Sequence, residues 1–127
     1  MPSPVFTVVE CPFTEAAGVD EVKSRVVTVP GTHRVVKVFV VDNDGITLDA
    51  SDFTVLSVET AAAVEIATFS TVATTLVAKT PVDVALTGTP IALEFDQGDS
   101  IVFLKTDTGA TGVAVEGSIA VLLEQVR

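Results

Sequence analysis

Of the chain's 127 residues, 47 branch at Cβ: 25 Val, 17 Thr and 5 Ile. Such side chains lose rotamer freedom in a helix and pack well on a pleated sheet, so the apolar segments are expected to be strands. Turn residues separate them, at Pro30-Gly31-Thr32, Asp42-Asn43-Asp44-Gly45, Thr87-Gly88-Thr89-Pro90 and Asp96-Gln97-Gly98-Asp99. Short strands between such turns, with no helical spacers, predict an all-β sandwich or barrel. The long middle connection from Asp49 to Ser70 favours Greek-key crossovers, with a jelly roll as first choice and an immunoglobulin-like sandwich as second.

The expected strands are Val5–Val9, Val22–Val29, His33–Val41, Ile46–Leu48, Phe53–Val58, Val64–Phe69, Thr74–Lys79, Val82–Leu86, Ile91–Phe95, Ser100–Lys105 and Val113–Leu123. Pro12 to Asp20 reads as a loop bent at Gly18, and Thr106 to Gly112 as a flexible loop. Pro2, Pro4 and Pro12 suit an extended arm or edge segment, because proline removes a donor from the ladder. Residues 1–20 are therefore expected to form an extended N-terminal arm and residues 21–127 the sandwich. No uninterrupted apolar run approaches the twenty or so residues of a membrane helix. Met1-Pro-Ser-Pro lacks the basic head and apolar stretch of a secretory signal, so no leader is expected.

Charge and reactive residues narrow the function. Seventeen acids against seven bases give a net charge of −10, the wrong sign for replacing the counterions around phosphates, so nucleic acid is not an expected partner. The single histidine, His33, stands beside a turn, and no Gly-x-Ser-x-Gly elbow presents a nucleophile to it. Cys11 follows Glu10, and an acidic neighbour raises a thiol's pKa, which disfavours the thiolate. One Cys and one His cannot form a zinc site. Asp42-Asn43-Asp44-Gly45 lacks the spacing and closing Glu of a calcium loop, so it reads as a turn, while Asp96, Asp99 and Asp107 are candidates for a cluster at one end of the sandwich. No cofactor fingerprint occurs. With no Trp or Tyr, an aromatic sugar platform is disfavoured. No catalytic, cofactor or metal residue is assigned, and the chain is expected not to be an enzyme.

One departure from a simple two-layer pattern points outward. Strand His33–Val41 is apolar on both faces: Val36, Val38 and Val40 on one, and Val35, Phe39 and Val41 with Lys37 on the other. Ile101 to Leu104 is two-sided as well, and Leu122 lies on the wet face of the last strand. Monomers rarely expose large contiguous apolar patches, so oligomerisation is expected. The candidate interface residues are Pro4, Val5, Phe6, Val8, Val35, Phe39, Val41 and Leu122.

The pattern Ile91 to Leu104, then Gly109 to Gly112, then Val115 to Glu124 resembles the closing strands of small jelly-roll proteins of tailed bacteriophages. These include capsid decoration (cement) proteins and the head domains of fibres. The resemblance implies a structural protein on the outer surface of the capsid of a virion, made in the host cytoplasm. Its implied partners are the major capsid protein and copies of itself, a trimer ahead of a dimer, with no membrane and no nucleic acid. The compact chain without a shaft favours cement over fibre head, whose contacts would be the loops Thr106 to Gly112 and Asp42 to Gly45. A small calcium- or sugar-binding module is the remaining alternative.

Overall fold

The computed structural model describes residues 4–88 and 93–127. Among these residues nine strands follow in order: β1 (Phe6–Glu15), β2 (Glu21–Val26), β3 (Thr32–Asp42), β4 (Phe53–Thr60), β5 (Glu65–Ser70), β6 (Val82–Val84), β7 (Glu94–Asp96), β8 (Ser100–Thr108) and β9 (Val115–Gln125). No helix occurs among the described residues. One sheet runs β1-β9-β3-β6 with β7 also on β3, and the other runs β2-β8-β4-β5. Every pairing is antiparallel. The fold is a two-sheet β-sandwich. Its partners are nested, since β1 meets β9, β2 meets β8, β3 meets β6 and β4 meets β5.

Between the sheets lies one apolar core containing Phe13, Val38, Val40, Leu56, Ile66, Ile101, Phe103, Ile119 and Leu123. Alternation places these side chains. In β8, Ile101, Phe103 and Lys105 are buried while Val102 and Leu104 are half-buried on the outer face. The two-sided character read from Ile101 to Leu104 is therefore present.

The first twenty residues differ from the expected arm. The edge-segment reading holds for β1, which pairs with β9 over ten residues from Phe6↔Glu124 to Glu15↔Val115. The loop expected from Pro12 begins only after Glu15, because Cys11 and Phe13 turn inward and are fully buried. No boundary separates an arm from the sandwich at residue 20.

Val35 also departs from expectation. Val35 pairs with Leu123 and Lys37 with Leu122, which leaves Val36 as an extra residue, a β-bulge. The bulge shifts the phase of the strand by one, so Val35 joins Val38 and Val40 inside, at 3% exposure, and Val36 moves outward. Val35 is thus a core residue and leaves the set of candidate interface residues.

Three further segments differ. Thr74–Lys79 and Ile46–Leu48 are not strands but meet in a single bridge, Ile46↔Leu76. Thr106 to Thr108 continue β8 against β4, which shortens the expected loop to residues 109–114. Of Ile91–Phe95, residues 91 and 92 lie outside the described residues, and β7 begins at Glu94.

Candidate functional site

Sheet β1-β9-β3 carries an apolar band on its outer face. The register aligns Val8 with Leu122 and Leu122 with Lys37, then Glu10 with Ala120 and Ala120 with Phe39, then Pro12 with Ser118 and Ser118 with Val41. Phe39, Val41 and Leu122 are half-buried there, flanked by neighbouring strands. Lys37 lays its stem along this face, with Nζ 5.9 Å from the Phe39 ring centroid and 3.6 Å from Asp83. Arg34 meets Glu124 at 3.8 Å and Arg127 meets Glu94 at 3.2 Å. Three ion pairs on this sheet thus balance charge locally on a chain whose net charge is −10.

Exposure is concentrated at one side of the sandwich. Eleven large hydrophobic residues are exposed among the described residues, and six of them (Val5, Phe6, Val8, Val19, Val22 and Val26) belong to β1, β2 and their flanks. Val5, Phe6 and Val8 stand at 54%, 50% and 56% exposure. Both strands are sheet edges, since among the described residues β1 pairs only with β9 and β2 only with β8. The opposite side is tied shut, because Ala67 bridges Leu86 and Thr87 N donates to Ile66 O at 2.7 Å.

The open edge of β1 has definite limits. Gln125 N donates to Val5 O at 2.8 Å, so by strand alternation the odd residues of β1 turn their main-chain groups toward β9. The even residues turn theirs to the open edge. Pro12 is even, so its missing donor falls on the edge side, where a ladder does not need it. Its carbonyl is occupied by Lys23, whose Nζ donates at 3.1 Å, pairs with Glu15 at 3.4 Å and covers the Phe13 ring at 5.1 Å.

The residues with reactive chemistry lie elsewhere and do not converge. His33, beside the turn, is neither at the surface nor hydrogen-bonded through its ring: it is 1% exposed on the core side of β3, and neither ring nitrogen has a partner among the described residues. Cys11 is buried, and burial pushes its thiol pKa up, with Arg25 and then Lys23 opposing and Glu21 adding. The direction expected from Glu10 is right, but the cause is desolvation, because Glu10 points to the opposite, solvent face. Asp42 is buried and spends its carboxylate on main-chain donors, Oδ1 accepting from Glu116 N at 2.8 Å and Oδ2 from Asp44 N at 3.1 Å. The cleft beside it, about 350 Å³ and bordered by Glu15, Asp44 and Glu116, is acidic but has no unpaired buried donor or acceptor aimed into it.

Asp96 and Asp99 share a turn, with Asp99 Oδ2 accepting from Asp96 N at 2.8 Å. Asp107 lies at the far end of β8 from them. Among the described residues, no three His, Cys, Asp or Glu side chains group into an arrangement that holds a metal ion.

A polar anchor that sequence reasoning missed sits under the open side. Lys105 Nζ is buried and donates to Ala16 O at 3.1 Å, Val19 O at 2.7 Å and Asp107 Oδ2 at 2.9 Å. Asp107 Oδ2 also accepts from Gly18 N at 2.7 Å and Val113 N at 3.2 Å. This pair clamps the β1–β2 connection to the β8–β9 loop. Asp52 Oδ1 fixes the same loop by accepting from Thr111 N at 2.9 Å and Gly112 N at 3.2 Å. The available signal was the alternation itself, which puts Lys105 on the same face as Ile101 and Phe103.

The chain matches no protein-family model, no curated protein and no solved structure.

Proposed function

We propose that this chain is a non-enzymatic structural protein that associates with copies of itself and braces a larger protein shell, as a capsid decoration protein of a tailed phage does on the outer surface of a virion. The observation that carries the reading is the open side of the sandwich. There the edge strand β1 exposes Val5, Phe6 and Val8 beside the outer band of Phe39, Val41 and Leu122, while Val22 and Val26 are exposed on β2, the edge of the other sheet. Exposed apolar side chains grouped in this way along a folded domain's edge strand are a protein-docking feature. An unpaired strand edge beside it adds main-chain hydrogen bonds as a second source of affinity.

The nested strand pairing supports the jelly-roll reading within the sandwich, because a long hairpin rolled into two sheets pairs first strand with last and inner with inner. Dispersal of His33, Cys11 and the carboxylates supports a role without catalysis, since catalysis needs reactive groups within hydrogen-bond reach of one another. The fibre-head alternative draws less support. Its contact loops, Asp42 to Gly45 and Thr106 to Gly112, are tied down by the Asp42 and Asp52 carboxylates, the second at Thr111 and Gly112.

The test is co-sedimentation of purified protein with undecorated phage heads. Saturable binding that raises the heads' resistance to heat or chelator is the expected result. Failure to pellet with heads at any protein concentration overturns the shell-bracing role.

A further inference from the structure

We infer that the open edge of β1 pairs with β1 of a second copy, antiparallel across a two-fold axis at Val8. The inference rests on the self-association half of the reading above and is independent of the shell. Two prolines frame the edge. Pro4 and Pro12 are both even-numbered, so both lack a donor on the side that faces away from β9, and the stretch between them is centred on Val8. A two-fold pairing centred on Val8 sets Pro4 against Pro12 of the second copy, so the missing donors face each other. It also sets Phe6 against Glu10 of the second copy, and Val8 against itself.

The even residues between the prolines can then exchange roughly six main-chain hydrogen bonds, two at each facing pair. Charge selects the same register. Centring on Val8 keeps the two Glu10 carboxylates apart, whereas centring on Glu10 places like charges directly opposite, which is destabilising in a strand pair. Centring on Phe6 sets Pro4 against Val8 and leaves the Val8 carbonyl without a donor.

The opposite margin of the sandwich is bridged between Ala67 and Leu86, and the far end of β1 is occupied by Lys23 on Pro12 O. Among the described residues, 5–11 are thus the stretch of this edge without a ladder partner. The contact is isologous, so it closes at two copies and replaces the three-fold arrangement implied by resemblance. The two outer faces become one continuous sheet surface carrying Phe6, Val8 and Leu122 twice.

The experiment is sedimentation velocity of the full chain from about 1 to about 500 μM, the span over which a small interface populates both states. The expected result is a concentration-dependent dimer. Val8→Pro removes a donor that β9 does not use, and Val8→Lys sets two ammonium groups face to face. Each is expected to weaken association roughly tenfold or more, about 1.4 kcal/mol. Lysine at Val8, whose side chain is already exposed, keeps the test decisive if the proline variant fails to fold. For register, Val8→Cys is expected to cross-link to its own copy on mild oxidation, because facing Cα atoms about 5.5 Å apart lie within disulfide reach. Thr14→Cys, outside the window, is expected to dimerise as the wild type does but to form no cross-link. A wild-type chain that stays monomeric throughout, a dimer that survives both Val8 variants, or cross-linking of Thr14→Cys in place of Val8→Cys overturns the inference. Shell binding is read separately by co-sedimentation with heads, so a dimer that ignores heads removes only the shell, and head binding by a strict monomer removes only the dimer.

Discussion

His33 and the Lys105–Asp107 pair show two ways of burying polarity. The His33 ring sits in the core with both nitrogens unpaired, a state that costs the desolvation of a polar group without a compensating bond. His33→Leu is therefore expected to raise stability by about 1 kcal/mol, read as a higher urea midpoint by far-UV circular dichroism. Lys105 is the opposite case, since its ammonium has three acceptors. Replacing it by Met strands a buried carboxylate, and a loss of about 3–5 kcal/mol is expected in the same measurement. Asp107 adds a pH signature. Burial pushes its carboxyl up, but hydrogen bonds from Lys105, Val113 N and Gly18 N outweigh this and hold it below the ordinary value of 3.8. A depressed folded-state value stabilises the fold above the unfolded value, and that contribution is lost as pH falls through the folded one. The stability gap between wild type and Asp107→Asn is expected to be full at neutral pH and to narrow steadily below about pH 4.

At the scale of the strand, β9 and β1 have the least tolerance. Gly117 of β9 passes so close to Val41 O and Asp42 of β3 that an added Cβ meets the backbone there. Backbone cannot swing aside as a side chain does, so Gly117→Ala is expected to cost about 3 kcal/mol, as a drop in thermal midpoint. Deleting residues 1–12 removes Cys11 from the core and strips the β1-side ladder from β9 between Ser118 and Glu124, leaving β9 paired only with β3 among the described residues. Loss of the cooperative thermal transition is expected, rather than a folded sandwich that merely assembles less well. Two misreadings at this scale share a cause. A bulge at Val36 and an inward turn at Cys11 and Phe13 each depend on a partner strand far away in sequence, and local composition does not report partners. Pro12 looked like a strand terminator, but an edge position absorbs its missing donor.

For the whole molecule, the nested pairing joins the first strand to the last, so most of the sheet forms only after long loops close. Folding dominated by such non-local pairing is slow, and refolding is expected in roughly milliseconds to seconds. Stopped-flow circular dichroism is the measurement, because the chain has no Trp or Tyr. The same topology leaves one side of the sandwich closed and the other open. Lys105 and Asp107 hold the β1–β2 connection in place beside the open side, so weakening of that clamp is expected to loosen the edge that carries Val8.

The β-branched side chains and turn residues of this sequence were enough for the all-β class, most strand centres and the apolar character of β3 and of β8 on both faces, because side-chain stereochemistry and period-two alternation are local properties. Which apolar residues stay in water was decided only by tertiary structure. Val35 and Val8 are the same residue type in similar strands, yet one is sealed in the core and the other lies half in solvent. The difference comes from one extra residue in a ladder and from the absence of a neighbour beyond β1, and both are facts about partners brought together across the length of the chain.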